Sequence, residues 1–344
     1  MKRHATLSIC MIVRNEEAVL ERCLSSLSTV RDQLCIVDTG SCDSTVSIAE
    51  RFGAEVSVYH GCNDADGNIK DFADARNHAL AMATGEWVLT IDADEVLEKG
   101  SGAIRSHLRR ERYDSIGVQI HEGDLKWVVN RLFKRSSAGE YKGRIHEFIQ
   151  CRGSFFCDRR IVISHLPNKR GKEGSVQRTL RLGLQAELDN PTDARTLYYI
   201  GTAYRNVGNL QMAIEYLRRS IALPSVPFWK FQTAYALGVC YIQAQQWDAA
   251  LETGRLALGI DPRYAEAHCL LADAYRCSGN DAFAAQWYRS ALSCRPPEDA
   301  MLGIQQWAYR EHPRAQLAHI SQSKRIASTM QAHQRRGDAP REQT

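Results

Sequence analysis

The C-terminal half of the chain repeats itself at a fixed interval of 34 residues. The same offset separates each pair in two series of mostly small, aromatic and proline residues. The series are Leu237, Gly238, Tyr241, Ala250, Ala257 and Pro262, and Leu271, Ala272, Tyr275, Ala284, Ala291 and Pro296. An earlier copy that begins at Ile200 leads the first series by 37 residues, with the surplus in 224–229. This period indicates stacked helical hairpins, in which small residues let paired helices approach closely.

The repeated segment is similar to the tetratricopeptide pattern, a helix–turn–helix unit of the same length. Three copies, preceded by a helix predicted at 176–188, are enough to form a stable stack. We therefore predict an all-α solenoid over 175–322. Helical periodicity fades after about Lys324, and the polar residues 323–344 are predicted to form a disordered tail. A generic helical bundle is the alternative interpretation.

The first hundred residues alternate between apolar strand patterns and helical patterns. The strand segments are 7–13, 34–37, 53–58 and 87–91, and the helical segments are 19–27, 45–51 and 71–83. Such alternation predicts a mostly parallel, Rossmann-like α/β sheet with right-handed crossovers. Shorter β-rich pieces between 112 and 165 predict extra strands that complete a site. The polar, basic stretch 167–174 marks a boundary, so residues 1–166 are predicted to form the first domain.

Length and composition narrow the class of protein. A chain of 344 residues with 44% hydrophobic and 24% charged residues is typical of a soluble protein of two domains. The apolar run 7–13 predicts a first strand because it is too short for a signal peptide, and no run approaches the roughly 20 residues that cross a bilayer. The net charge of +4 is weak evidence for nucleic-acid binding, and we predict none.

The eleven cysteines are odd in number and contain no Cys-x-x-Cys pair. This spacing favours free thiols in a reducing compartment over a disulfide framework. A zinc site built on Cys151 and Cys157 is the alternative, although the spacing matches no usual zinc pattern. We therefore expect a cytoplasmic protein.

Two carboxylates, Asp92 and Asp94, follow the apolar strand segment 87–91 directly. Open α/β sheets bind ligands at the carboxyl ends of their strands. Carboxylate oxygens suit Mg²⁺ or Mn²⁺, which share substrate phosphates rather than demand a cage made only of protein. The pair therefore predicts a site for a divalent cation and a diphosphate, with a solvated acidic turn as the alternative.

Six segments of the N-terminal half form an ordered set of motifs. They are 12–16 (IVRNE), 36–45 (IVDTGSCDST), 71–77 (DFADARN), 83–87 (ATGEW), 92–95 (DADE) and 144–147 (RIHE). This set resembles the family 2 glycosyltransferases of the GT-A fold. With the repeats behind it, the chain is similar to bacterial glycosyltransferases of the sublancin S-glycosyltransferase type. The resemblance implies transfer of a sugar from a UDP-sugar donor with inversion at the anomeric carbon, and Mn²⁺ or Mg²⁺ as cofactor.

The resemblance also implies roles for residues of this chain. Asp94 and His146 would hold the metal ion, and Glu147 would act as general base. The nucleotide-sugar would contact Val13, Asn15, Glu16, Asp38, Arg76, Asn77, Asp92, Ala93 and Arg131. Many relatives carry a second acid directly after the position of Asp38, where this chain has Thr39, so a ribose contact is not implied there.

Simpler structural roles remain open for several of these residues. Asp38 would then cap a turn, and Arg76 would pair with Asp71 or Asp74. His146 would be a packed histidine of the core or of a loop.

Neighbouring residues compete for these roles or share them. Glu122 and Asp124 are alternative general bases. Lys134 belongs with Arg131 to a basic segment expected near the diphosphate, or else to a solvated turn. Glu95 is either a hydrogen-bond acceptor behind the metal site or a solvated carboxylate.

The repeats bear on the acceptor. Stacked hairpins present a concave surface suited to a polypeptide, which favours a peptide or protein acceptor docked on the repeats. Cys, Ser, Thr or a sugar hydroxyl could be the nucleophile, and dimerisation through the repeats is left open. Two alternatives are an acceptor from lipopolysaccharide or capsule assembly, and a repeat scaffold with an inactive transferase half.

Overall fold

The computed structural model describes residues 5–110, 112–123, 125–167, 173–297 and 304–337. The chain divides into two compact units. The first comprises Met1–Val207 with Asp299–Ile304, and the second comprises Gly208–Glu298 with Gln305–Thr344.

The first unit is built on a large mixed sheet. Its strands are β1 (Leu7–Val13), β2 (Gln33–Asp38), β3 (Glu55–Val58), β4 (Trp87–Thr90), β5 (Glu95–Lys99), β6 (Ser115–Glu122), β7 (Leu125–Lys134), β8 (Ala138–Lys142), β9 (Phe148–Cys151) and β10 (Phe155–His165). Its helices are α1 (Leu20–Ser26), α2 (Thr45–Arg51), α3 (Phe72–Met82), α4 (Ser101–Arg110), α5 (Ser175–Asp189) and α6 (Ala194–Asn206). In the described residues the sheet order is β3-β2-β1-β4-β7-β6-β10-β5, and β8 and β9 form a separate pair.

Strands β3, β2, β1 and β4 run parallel to one another. Alternate residues of β1 enter different apolar clusters: Ile9 packs in the same cluster as Leu24 of α1, whereas Cys10 packs with Ala79 of α3. Both faces of the sheet are therefore covered, which explains why these strands are apolar along nearly their whole length. The predicted parallel α/β sheet is confirmed.

The register brings the carboxyl ends of these strands to one edge of the sheet, here called the carboxyl edge. Val13, the last residue of β1, lies opposite Asp38, the last residue of β2. Thr90, the last residue of β4, lies opposite Cys10. Residues that follow β1, β2 and β4 therefore meet at the carboxyl edge, where open sheets bind their ligands.

The β-rich segment expected to complete the site forms the other half of the sheet. Strand β7 runs antiparallel beside β4, followed by β6 and β10. Strand β5 begins directly after Asp94 and runs antiparallel to β10, with Glu95 opposite His165. This register carries the end of β10 to the carboxylates that follow β4.

The second unit is helical. Its helices are α7 (Leu210–Ala222), α8 (Pro227–Gln243), α9 (Trp247–Ile260), α10 (Ala265–Cys277), α11 (Asp281–Ser293), α12 (Gln306–Tyr309) and α13 (Glu311–Gly337). The repeat copies fall on the successive pairs α6–α7, α8–α9 and α10–α11. A Cβ built on Gly238 of α8 would lie 2.5 Å from Leu270 Cδ2 and 3.0 Å from Thr253 Oγ1. The small residue is thus required where helices pack closely, as predicted for such repeats.

Two segments differ from the sequence-based expectation. Helix α13 continues to Gly337, so the predicted tail 323–344 is helical as far as that residue, and 338–344 lie outside the described residues. Helix α6 carries the first repeat copy, as predicted, but both α5 and α6 group with the first compact unit. Of the predicted boundary 167–174, residues 168–172 lie outside the described residues.

Two further expectations can be compared with the structure. All eleven cysteines are free, as predicted. Among the helices of the described residues, none is both long and apolar enough to cross a membrane.

Candidate active site

A chain of paired, largely buried charges lies along the carboxyl edge. Arg76 Nη2 of α3 lies 2.7 Å from Oδ1 of Asp92, and Arg131 Nη2 of β7 lies 3.0 Å from Oδ2 of the same carboxylate. Arg131 Nη2 also lies 2.8 Å from Oε1 of Glu95. Arg76 Nε donates to Oε1 of Glu147. The order Glu147–Arg76–Asp92–Arg131–Glu95 is here called the charge network.

The three central members of the charge network, Arg76, Asp92 and Arg131, hold one another in the charged form. Burial opposes ionisation of Asp92, but Arg76 and Arg131 hold its pKa well below the usual range. Burial likewise works against the charged forms of both arginines, but Asp92 raises the pKa of each, together with Glu147 at Arg76 and Glu95 at Arg131. Arg76 therefore pairs with Asp92 and Glu147, and not with Asp71 or Asp74, which the sequence left as alternatives.

Glu95 closes one end of the network. Its side chain is 3% exposed, and Oε2 accepts a hydrogen bond of 2.8 Å from the Asp92 amide. Burial raises the pKa of Glu95 to about 7, against the opposing effect of Arg131. Glu95 is thus a buried hydrogen-bond acceptor behind the site and not a solvated carboxylate.

Asp94 lies beside a histidine, though not the predicted one. Its Oδ2 lies 3.5 Å from Nε2 of His165, which follows from the pairing of β5 with β10. The other ring nitrogen, Nδ1, lies 3.3 Å from Oε2 of Glu122. The hydrogen bond with Asp94 is the main cause that raises the pKa of His165 to about 9, with Glu122 adding to it.

His146, predicted to join Asp94 at the metal, has different neighbours. Its backbone takes a φ of 52°, in the left-handed region. The imidazole stacks on Tyr199 of α6 with ring centroids 3.7 Å apart, and Nε2 lies 3.2 Å from Thr179 Oγ1 of α5. This packing withdraws the ring from water and lowers its pKa to about 4, although part of the residue faces solvent. His146 is therefore a packed loop histidine, and its role as a metal ligand stays a prediction without a geometric basis here.

The loops after β1 and β2 hold each other in place. Asn15, with a φ of 53°, accepts a hydrogen bond of 2.9 Å from the Cys42 amide. Asp38 is buried and accepts from the amides of Gly40 and Ser41. Asp38 thus caps a turn, and its contact with a nucleobase stays a prediction.

Three other residues predicted to contact the donor lie at the same edge. Val13 is the last residue of β1, and its carbonyl accepts from the Thr39 amide at 3.0 Å. The Glu16 amide donates to Thr45 Oγ1 at 2.7 Å. Ala93 is buried between the two carboxylates that follow β4. Their positions fit the prediction, and their contacts with a donor remain untested.

Asn77 and Lys134 make contacts within the chain, and a contact of Asn77 with the donor stays a prediction. Asn77 uses its amide oxygen and nitrogen to bind the backbone of Tyr141, at 2.7 and 3.0 Å, and so fixes β8. Lys134 lies opposite Trp87, at the start of β4, and pairs with Asp114 at 3.0 Å. It therefore lies at the sheet edge away from the carboxyl edge, whereas Arg131 lies in the site.

Sequence reasoning did not identify His165 or Tyr199. His165 carries the same signal that pointed to Asp92, a polar residue at the end of an apolar strand. Tyr199 carries no local signal, because its contact with His146 joins residues 53 positions apart. Asp124, considered as a general base, lies outside the described residues.

Comparison with known families agrees with this geometry. Residues 8–166 match the sequence model of the family described as Glycosyl transferase family 2. The chain contains a family 2 glycosyltransferase domain. That domain coincides with the sheet that carries the charge network and the Asp94–His165 pair. A second match, to the family described as Tetratricopeptide repeat, covers 194–225 and confirms the repeats.

Two curated relatives each match more than half of this chain. The chain is 30% identical over 278 residues to a TPR repeat-containing protein of Synechococcus elongatus, covering 74% of this chain and 66% of that protein. It is 24% identical over 235 residues to the SPbeta prophage-derived glycosyltransferase SunS of Bacillus subtilis, covering 63% of this chain and 53% of that protein. The chain thus spans about half to two thirds of the length of these relatives.

A solved structure titled "Crystal structure of MamA" is similar at 19% identity with a TM-score of 0.34. The match covers 45% of this chain and 92% of that one. A similarity at this level carries no functional information.

Proposed function

We propose that the chain transfers a sugar from a UDP-sugar to a peptide or protein acceptor, with inversion at the anomeric carbon. The observation that carries the proposal is the charge network, which ends in Glu147 at the carboxyl edge of a family 2 glycosyltransferase domain. The uridine nucleotide rests on the resemblance of the motif set, whereas the arrangement of charges follows from the geometry.

The charge balance of the site supports a metal requirement. With all groups ionised, three carboxylates (Glu147, Asp92 and Glu95) face two guanidinium groups (Arg76 and Arg131), so the charge network carries a formal charge of −1. A diphosphate adds further negative charge. Arg76 and Arg131 are already paired, so neutralising the diphosphate calls for another cation.

The side chains that would hold that cation are Asp94 and His165, and its binding would displace the proton that the raised pKa of about 9 keeps on the His165 ring. A carboxylate oxygen and an imidazole nitrogen are a donor set that suits Mn²⁺. Glu122, on the far ring nitrogen, would orient His165, as carboxylates do for metal-bound histidines. Within the described residues no group of three or more His, Cys, Asp and Glu side chains could hold a metal ion, so an ion at this pair would need further ligands from substrate phosphates and water. A bound divalent cation would supply Lewis-acid stabilisation of the leaving diphosphate.

The other roles in the reaction fall to residues of the chain. The acceptor's nucleophilic atom forms a bond to the anomeric carbon as the bond to the diphosphate oxygen breaks, and UDP leaves. Glu147 receives the acceptor's proton: Oε1 is held by Arg76, and within the described residues Oε2 has no hydrogen-bond partner. Arg76 and Arg131 fix the position of Asp92, which faces the donor's ribose in this proposal.

The acceptor is inferred from the repeats. Helical hairpins of the tetratricopeptide type bind polypeptides, and this chain carries them after its glycosyltransferase domain. A polypeptide acceptor with a Cys, Ser or Thr nucleophile uses both parts of the chain.

Calorimetric titration of the full chain with UDP and a panel of UDP-sugars, with and without Mn²⁺, tests the donor site. We expect metal-dependent binding that falls at least about ten-fold in Asp94→Asn. Asp248→Asn, a change of an exposed acid on α9, is the matched control and should bind as the wild type does. Folded protein that binds no UDP-sugar, or binds equally well without metal, would contradict the proposal.

Donors that bind are then incubated with peptides that differ only in a central Cys, Ser, Thr or Ala. Mass spectrometry should show one added sugar, with the mass of the donor's glycosyl group, on at least one of the first three peptides and none on the Ala peptide. Transfer to a free sugar or lipid, with none to any peptide, would contradict the polypeptide acceptor.

A further inference from the structure

The loop that carries Glu147 is clamped by helices that lie beyond the family 2 match. The match ends at residue 166, whereas α5 and α6 span Ser175–Asp189 and Ala194–Asn206. Both helices nevertheless belong to the same compact unit as the sheet. Contacts with the loop 143–147 are among those that join the two helices to this unit.

His146 contacts both helices. A φ of 52° is sterically unfavourable for a residue with a Cβ, so the surrounding structure must hold it there. The stack on Tyr199, at 3.7 Å and 14° between planes, and the Thr179 contact at 3.2 Å supply that restraint. Turning His146 this way places the next residue, Glu147, against Arg76.

Neighbouring residues hold the loop on both sides of His146. The Arg144 carbonyl accepts a hydrogen bond of 2.9 Å from the Phe72 amide. The Arg144 guanidinium pairs with Asp189 at the end of α5. Arg195 of α6 lies over the rings of both Phe148 and Tyr199, at 4.5 and 5.6 Å. The loop is thus tied to α3 on one side and to α5 and α6 on the other.

We propose that Tyr199 is a positioning residue for the transfer reaction, which acts through His146 to set Glu147 against Arg76. This inference rests on the proposed function, since it gives α6 a part in the chemistry assigned to Glu147. Arg76 keeps its separate 2.7 Å contact with Asp92, so loss of the stack should affect the turnover step and leave donor binding intact.

The test compares Tyr199→Leu, which removes the aromatic stack, with Tyr199→Phe, which retains it. Thr179→Val removes the hydroxyl near His146 and keeps the side-chain shape. It is a second way to loosen the loop. Amide hydrogen exchange of 143–148 reports how firmly the loop is held. UDP-sugar hydrolysis without acceptor, in which water replaces the nucleophile, reports kcat and KM.

We expect Tyr199→Leu to raise loop exchange about ten-fold and to lower kcat about 10- to 100-fold, because small displacements of catalytic groups cost this much. The donor Kd should stay within about two-fold of the wild type. Thr179→Val should show a smaller change in the same direction, and Tyr199→Phe should behave as the wild type does.

Unchanged loop exchange in Tyr199→Leu and Thr179→Val would overturn the inference, and so would a loosened loop with unchanged kcat. If Tyr199→Leu fails to fold, Thr179→Val decides by the same two readouts. Wild-type protein that neither hydrolyses any donor nor glycosylates any peptide of the panel would reject the proposed function instead, and the exchange comparison would still decide whether Tyr199 holds the loop.

Discussion

Arg76 Nη2 and Asp92 Oδ1 lie 2.7 Å apart, which joins a helix residue to the residue two positions beyond strand β4. The side chain of Arg76 is 11% exposed, and its Nε is engaged by Glu147. A guanidinium suits this position because its planar fork can bind two carboxylates at once. The group proposed to receive a proton is thereby linked to the acid proposed to face the donor.

Arg76→Lys should lower kcat/KM for donor hydrolysis about 10- to 100-fold, because an ammonium cannot hold Glu147 and Asp92 in the same geometry. Lys134→Met is the control, since Lys134 ends β7 opposite Trp87 at the start of β4, away from the site. Steady-state kinetics on both variants test this. Equal activity of Arg76→Lys and the wild type would show that the paired geometry is dispensable.

His165→Gln should weaken Mn²⁺-dependent UDP binding by at least about ten-fold, because it removes the imidazole beside Asp94. His146→Asn is the matched control, since asparagine tolerates the left-handed backbone and His146 packs against Tyr199. Its metal dependence should be unchanged. Calorimetry with and without Mn²⁺ compares UDP binding by the two variants. If His146→Asn lost metal-dependent binding and His165→Gln kept it, His146 would be the metal ligand, as the sequence predicted.

Stability should fall as the pH is lowered from about 6.5 towards 4, in part through His146. Its packed neutral ring has a pKa of about 4 against an ordinary value of 6.5, so the unfolded chain binds a proton first as the pH drops. The contribution is about 1 kcal/mol once the solvent-facing part of the residue is allowed for. Denaturant unfolding across this range should show a shallower decline in His146→Asn. An exposed-site control, His319→Asn, should follow the wild type, and a parallel decline in all three proteins would exclude the effect.

Gly238→Ala should destabilise the helical unit by about 1–3 kcal/mol, because the new Cβ would lie 2.5 Å from Leu270 Cδ2. Gly259→Ala is the control. Gly259 is also a helical glycine, in α9, but a Cβ built there meets nothing within 4 Å. That change should be neutral or slightly stabilising, since alanine is the better helix former. Thermal or denaturant unfolding measures both, and equal effects would contradict the close packing at Gly238.

Local sequence patterns predicted the elements that carry the site. The apolar run ending at Ile91 predicted β4, and Asp92 and Asp94 were correctly placed at its carboxyl end. Partners across the sheet were not predictable in the same way. Asp94 meets His165 because β5 pairs with β10, and nothing within either strand specifies that pairing.

The sequence by itself determined two things: a parallel α/β unit that presents polar residues at strand ends, and a helical unit that repeats every 34 residues. Both follow from periodicity, because the positions of apolar and small residues along the chain set which faces are buried. Only the tertiary structure decided that Asp92 joins two arginines, that His165 lies beside Asp94 and that Tyr199 stacks on His146. These contacts join residues far apart in the chain, so strand order and helix packing, and not local propensity, bring them together.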